Sequence, residues 1–215
     1  MGYVGEAGAG VTLAELWEGP FGNDYVRRQL DAGSKRGPFW NDLLKHYKPR
    51  SVLEVGCNVG GNLQHIVWPY TSQSLPEGWP DPHDVAGVDV NVRALALAMK
   101  RIPSCALWKM EATRLAIPDQ SYDLVFTCGV LIHLNDDDLG KAIKEMTRVS
   151  ARYLMTIEYE GNSIVPYHGQ DAALFKRPYR SEVESRIADL TLQETRWLGA
   201  DDGFDDCTMY LWRKA

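Results

Sequence analysis

Residues 51–61 read Ser51-Val52-Leu53-Glu54-Val55-Gly56-Cys57-Asn58-Val59-Gly60-Gly61. A short apolar, β-branched run that breaks into glycines reads as a buried strand ending in a sharp turn. A helix follows from near Gly60 across residues 62–67. Gly56 lets the chain turn and lets backbone N–H groups come close to a ligand. In open α/β sheets, ligands sit at the carboxyl ends of the strands, beside the switch in strand order. A dinucleotide fingerprint, G-x-G-x-x-G, would need glycine at position 58, where Asn58 stands. Instead, Glu54 lies two places before the first glycine, and Gly60 comes four places after it. A loop of this shape has room for a sulfonium amino acid and supplies no pyrophosphate cradle.

Outward from this stretch, strands alternate with helices. Strands are expected at 84–90, 105–110, 122–129 and 152–159, and helices at 93–102, 136–149 and near 179–188. Amphipathic helices precede the glycine turn, near 23–32 and 37–47. Residues 190–198 and 207–214 are strand-like and joined by a short polar loop, so they are expected to pair antiparallel at one edge. The expected fold is α/β: a doubly wound, seven-stranded, mostly parallel sheet with an antiparallel C-terminal edge hairpin and N-terminal helices. One domain is expected, with residues 1–48 as a helical cap and 49–215 as a cofactor-binding core. Residues 1–10 read as loose, and the proline-rich stretch 68–83 as a long surface loop.

Composition narrows the function. The chain has 215 residues, 45% hydrophobic and 24% charged, with a formal net charge of -6. That balance weighs against nucleic acid as a partner and favours a small molecule. No run is long and apolar enough to span a bilayer, so no membrane partner is expected. The start, MGYVGEAGAG, lacks the basic and apolar regions of a signal peptide, and Glu6 breaks a myristoylation pattern. Cys57, Cys105, Cys128 and Cys207 show no C-x-x-C pairing and read as free thiols of a reducing cytoplasm. The five histidines form no ligand spacing, so no metal is expected.

Two acidic residues are expected at strand tips. Asp89, after the second strand, can accept from both hydroxyls of a ribose. Glu111, after the third, is placed to accept from an adenine amino group. The backbone of Ala112 can donate to the ring, and Met110 or Leu115 can pack on its face.

VLEVGCNVGGNL, GVDVN, MEATRLAIPDQSYDLV and TCGVLIHL, in this order and spacing, resemble the class I S-adenosylmethionine-dependent methyltransferases across roughly residues 50–150. The resemblance implies S-adenosylmethionine as cofactor. It implies Gly56, Cys57, Asn58 and Gly60 around the methionine moiety, with Glu54 fixing that loop or the amino group. It implies Asp89 with Val90 at the ribose, Met110, Glu111 and Ala112 at adenine, and Thr127, Cys128 and Gly129 below the sulfonium. A narrower resemblance, carried by LWEGPFGNDYVRR, GVLIHL and IEYEGNSIVPYHGQDAALFKRPY, is to methylases associated with pseudaminic acid biosynthesis. The chain departs from that subgroup at His168, where an Arg is expected, and in the longer 68–83 loop. This match places Tyr25, Glu158, Tyr167, Lys176 and Arg177 at the acceptor, with His133, His168 and Tyr159 as catalytic candidates. The partners it implies are a small-molecule acceptor and, optionally, a second copy in a homodimer.

Plainer readings stand beside these. Glu54 would also serve by satisfying loop amides, Asp89 by capping the following helix, and His133 as a packed core side chain. Asn135 to Asp138 reads as an N-cap with an acidic first turn rather than a metal cluster. The tryptophans read mostly as core or lid packing, and a salt-bridged surface loop is the plainer reading of Lys176 with Arg177, second to the acceptor-side wall. The expected reaction is direct methyl transfer from a sulfonium to O or N, where the protein's main task is alignment. A hydroxyl acceptor would want a base such as His133 or His168. The alternatives are a nicotinamide-dependent oxidoreductase and a non-catalytic protein that keeps the cofactor pocket.

Overall fold

The computed structural model describes residues 12–31, 33–67, 81, 84–167 and 170–215. Strand β1 (Val52–Val55) is buried along its whole length. The strands that follow are β2 (Val85–Asp89), β3 (Ala106–Lys109), β4 (Tyr122–Cys128), β5 (Ser150–Glu158), β6 (Ser163–Tyr167), β7 (Gln170–Lys176), β8 (Leu190–Leu198) and β9 (Cys207–Lys214). Seven of them form one sheet, in the order β3-β2-β1-β4-β5-β9-β8. The first five positions of that order pair parallel. β9 runs antiparallel to both β5 and β8. The expected doubly wound sheet with an antiparallel edge pair is therefore present, and its order reverses between β1 and β4. That switch point opens the crevice where ligands bind in such sheets.

Both faces are covered, which is why the central strands are apolar without alternation. On one face lie α3 (Gly37–Tyr47) and α4 (Leu63–Val67), with Trp40, Leu43, Leu44, Leu63 and Ile66 packed among Phe126, Met155 and Leu211. α3 is thus part of the core and not only a cap. On the other face α6 (Asp136–Val149) sets Leu139, Ile143 and Met146 against Leu53, Val125 and Leu154. Asn135 caps α6 by accepting from the Asp138 amide at 2.9 Å. The acidic run Asp136 to Asp138 is its first turn, complementing the positive end of the helix. α5 (Val92–Arg101) begins at Asn91, which accepts from Arg93 and Ala94.

Three boundaries differ from the sequence reading. The N-terminal helices are α1 (Leu13–Glu18) and α2 (Pro20–Arg28), the second starting three residues early because Pro20 fits the first helical turn. Thr12 and Glu15 close a capping box on α1. α7 (Tyr179–Glu184) stops four residues short of expectation. β6 and β7 form a separate antiparallel hairpin where no strand was expected. Trp40 and Trp212 are core residues, but Trp197 is 63% exposed on edge strand β8, so it is not packing material. The four cysteines are free. No helix among the described residues is long and apolar enough to cross a membrane. Residues 1–10, most of the 68–83 loop with Trp68 and Trp79, and His168 lie outside the described residues.

Candidate functional site

β1 ends in Gly56, whose φ of +79° is the left-handed conformation that only glycine adopts cheaply. A Cβ there would lie 2.3 Å from Val130 Cγ2. The turn that follows is tied to β2: the Gly56 and Cys57 amides donate to Val88 O at 2.8 and 2.9 Å. Asp89 then holds the loop from the strand tip. Its two carboxylate oxygens accept from the Asn58 and Asn91 amides, each at 2.8 Å. Burial raises its pKa, against the pull of those backbone donors. Asp89 also lines the first cavity.

Two adjoining cavities open over this turn. The first, of about 380 Å³, runs along the tips of β2 and β3 and includes Asp89, Val90, Met110, Glu111 and Ala112. It is roofed by α1 and α2 through Leu13, Trp17 and Val26. The second lies over β1 and β4 and is walled by α2 and the β6–β7 hairpin. Gly56, Asn58, Cys128, Gly129, Tyr25 and His133 line both, so they mark the seam.

The second cavity holds an unusual polar set. Glu54 is 2% exposed; its Oε1 accepts from Asn62 Nδ2 at 2.6 Å. Its other oxygen and Asn58 Oδ1 are buried acceptors with no hydrogen-bond partner among the described residues. Burial pushes the Glu54 carboxyl up to about 8, opposed by the Asn62 amide and the Arg36 guanidinium. Arg36, just ahead of α3, spans the same space. It donates Nε to Gly203 O at 3.0 Å and Nη1 to Asn62 Oδ1 at 2.8 Å, and reaches Cys128 Sγ at 3.6 Å. Its plane lies over the Phe204 ring at 4.2 Å. Sequence reading missed Arg36, because nothing local links it to a turn twenty residues downstream.

The expected residues divide into those that face the cavities and those that support them. Cys57 lines the second cavity and also packs beneath the turn, where a Cβ on Gly87 would come 2.7 Å from its Sγ. Gly60 lines neither cavity; at φ +75° it makes room for Ile102, whose Cδ1 would meet a Cβ at 2.9 Å. Gly61 lines the second cavity in its place. Thr127 is fully buried inside β4, and Leu115 is buried in the core. Neither reaches a cavity wall.

On the acceptor side, Tyr25, Tyr159, Tyr167, Leu174 and Lys176 line the second cavity. Burial raises the phenols of Tyr25 and Tyr159 well above the ordinary range, which keeps them neutral donors rather than bases. Glu158 and Arg177 are corrections to the expected wall. Glu158 is 1% exposed and turns away under the segment after β4, accepting from the Val130 and Leu131 amides at 3.1 Å and from Ile132 at 3.3 Å. Burial pushes its carboxyl up to about 7 against those three donors. Arg177 bonds Asp136 at 2.8 Å and lies over the Phe175 ring at 4.6 Å. Neither lines a cavity. His133 closes the 3-10 turn Leu131–His133 and faces both cavities. No group of three His, Cys, Asp or Glu among the described residues is placed to hold a metal ion.

The profile of the methyltransferase domain family matches residues 52–152. The chain is 27% identical over 164 residues to norajmaline N-methyltransferase of Rauvolfia serpentina, covering 75% of this chain and 51% of that protein. It is 28% identical over 110 residues to ajmaline N-methyltransferase of the same plant, covering 48% of this chain and 33% of that protein. The chain thus spans about half of the length of one of these curated relatives and a third of the other. Among solved structures, magnesium protoporphyrin IX methyltransferase from Synechocystis PCC 6803 with bound SAM superposes with a TM-score of 0.66 at 14% identity, over 96% of this chain and 99% of that one. The switch-point cleft, the acidic strand tips and these matches agree: residues 52–152 are similar to the methyltransferase domain family, and the fold is shared with methyltransferases of known structure.

Proposed function

We propose that the chain is an S-adenosylmethionine-dependent methyltransferase acting on O or N of a small molecule. The observation that carries this reading is the charge pattern at the glycine turn. A guanidinium, Arg36, stands beside two buried, unpartnered acceptors, Glu54 Oε2 and Asn58 Oδ1. That set fits a zwitterionic amino-acid end: carboxylate toward Arg36, ammonium toward Glu54 and Asn58. A nicotinamide dinucleotide has no such end, which counts against the oxidoreductase alternative.

In this reading Asp89 accepts from the ribose hydroxyls. Glu111, with the Ala112 backbone, meets the adenine edge, and Met110 packs on its face. The bound cofactor supplies an electrophilic methyl group whose leaving thioether is neutral. The chain's own task is then alignment and water exclusion at the seam. Gly129 and Cys128 form its floor. Tyr25 and Tyr159 hold the acceptor by hydrogen bonds as neutral phenols, and Tyr167 lines the same wall. His133 takes the proton of a hydroxyl acceptor; an amine acceptor would need only to be held as its free base. Lys176, with no ion-pair partner among the described residues, suits an acceptor that carries an oxyanion or many hydroxyls. The resemblance to sugar-linked methylases favours a sugar or nucleotide-sugar, and the names of the two Rauvolfia proteins favour a nitrogen of a secondary metabolite.

Calorimetry with S-adenosylmethionine, S-adenosylhomocysteine and NAD tests the cofactor. Binding of the first two alone supports the reading, and binding of NAD alone rejects it. Transfer of radiolabelled methyl into small molecules of a cell extract tests catalysis. Cofactor binding without transfer would favour the non-catalytic alternative.

A further inference from the structure

Three successive backbone N–H groups, those of Val130, Leu131 and Ile132, converge on one carboxylate, Glu158. Such amides have no partner within the turn they begin. A carboxylate is costly to bury unless its oxygens are fully hydrogen-bonded. Here each side satisfies the other, and the bonds are charge-assisted when the carboxyl is ionised. The same turn ends in His133, whose amide donates to Val130 O at 3.0 Å. Its ring sits 4.3 Å from Trp17 and 5.9 Å from Tyr167, centroid to centroid. The turn is pinned from its other side as well, by the Gly129 amide donating to Ile157 O at 2.8 Å. The end of β5 therefore fixes the segment that carries the His133 imidazole to the seam of the two cavities.

We infer that Glu158 is a positioning residue for His133, holding the 130–133 turn so that the imidazole faces both cavities. It touches neither cavity and acts only through the turn. That the positioned ring serves methyl transfer rests on the function proposed above; the positioning itself does not.

Glu158→Gln is the informative change. Its carbonyl oxygen can still accept from Val130 and Leu131, but its amide would confront the Ile132 N–H, donor against donor. The experiment uses the full chain labelled with ¹⁵N-histidine, with the His133 signals assigned by loss in His133→Asn. In Glu158→Gln the imidazole cross-peaks of His133 should shift or broaden, while those of His46 and His65 stay in place. Affinity for S-adenosylhomocysteine, measured by calorimetry, should be unchanged. Wild-type His133 signals in a folded Glu158→Gln protein would overturn the inference, as would displacement of all the histidines together. If Glu158→Gln does not fold, Glu158→Asp, which keeps the charge on a shorter arm, is read by the same peaks. Failure of both to fold would assign Glu158 to the fold at large and also overturn it. Were S-adenosylhomocysteine not to bind the wild type, the cofactor reading would fall, while the His133 comparison in the free protein would still decide the positioning.

Discussion

The indole of Trp17 packs against the imidazole of His133 with ring centroids 4.3 Å apart. This contact ties α1, which has no fully buried residue of its own, to the seam of the two cavities. The arm is held further by Asn91 Nδ2 donating to Trp17 O at 2.9 Å and by an ion pair between Glu18 and Lys109. The first cavity is therefore roofed by a segment held to the rest of the chain through α2, where Trp17 packs edge-on to Phe21 and Tyr25, and through Asn91, Lys109 and His133.

Asp89→Ala removes the acceptor of two loop amides and the proposed ribose contact together. Affinity for S-adenosylhomocysteine should fall at least tenfold, about 1.4 kcal/mol. Stability should drop by about 1–3 kcal/mol, because buried amides lose their partner. Calorimetry and thermal unfolding separate the two effects, and wild-type affinity in a folded variant would remove the ribose assignment.

Glu54 gives a pH signature. Its carboxyl is pushed up to about 8 in the free protein, so it is mostly protonated at neutral pH. An incoming ammonium favours the ionised form and lowers that pKa. Binding should thus release a proton, and affinity should rise with pH up to about 8, by at most tenfold per unit. Calorimetry in buffers of different ionisation enthalpy measures the proton count. Glu54→Gln should bind more weakly and release none; equal proton release by both proteins would contradict the assignment.

Gly56→Ala should damage the turn twice, through its positive φ and through the clash with Val130. The strain alone is worth about 1–3 kcal/mol. We expect a lower unfolding midpoint together with loss of cofactor binding, both readable by differential scanning fluorimetry with and without S-adenosylhomocysteine. A normal ligand-induced shift would mean that the turn is not the cradle.

His133→Ala should leave cofactor affinity intact and cut methyl incorporation from labelled S-adenosylmethionine into extract by about a hundredfold or more, if the acceptor is a hydroxyl. Unchanged incorporation with normal affinity would point to an acceptor already held as a free base.

Most of the fold was legible because its signals are local. The 51–61 stretch, the tips at Asp89 and Glu111, and the capped helix at Asn135 each declare themselves within a few residues. What escaped reading depends on distant partners. Arg36 meets Asn62 and Gly203 only after the sheet has formed. Glu158 and Tyr159 are neighbours in sequence, yet side chains alternate along a strand, so one turns under the β4 loop and the other into the cavity. The β6–β7 hairpin was hidden because its exposed, proline-containing strand, Ser163–Tyr167, has no apolar alternation. Helix α1 was not expected either, although Thr12 and Glu15, three residues apart, close its capping box.

β9 lies between β5 and β8 in the sheet but follows β8 along the chain. Among the described residues β8 has no strand neighbour other than β9. During synthesis its nine residues, alternating half-buried and exposed until the last, emerge before the only strand that can bond them. Until β9 docks, that ribbon offers an open edge to any other chain nearby. The order of assembly therefore leaves this corner exposed to mispairing for as long as translation of β9 is delayed.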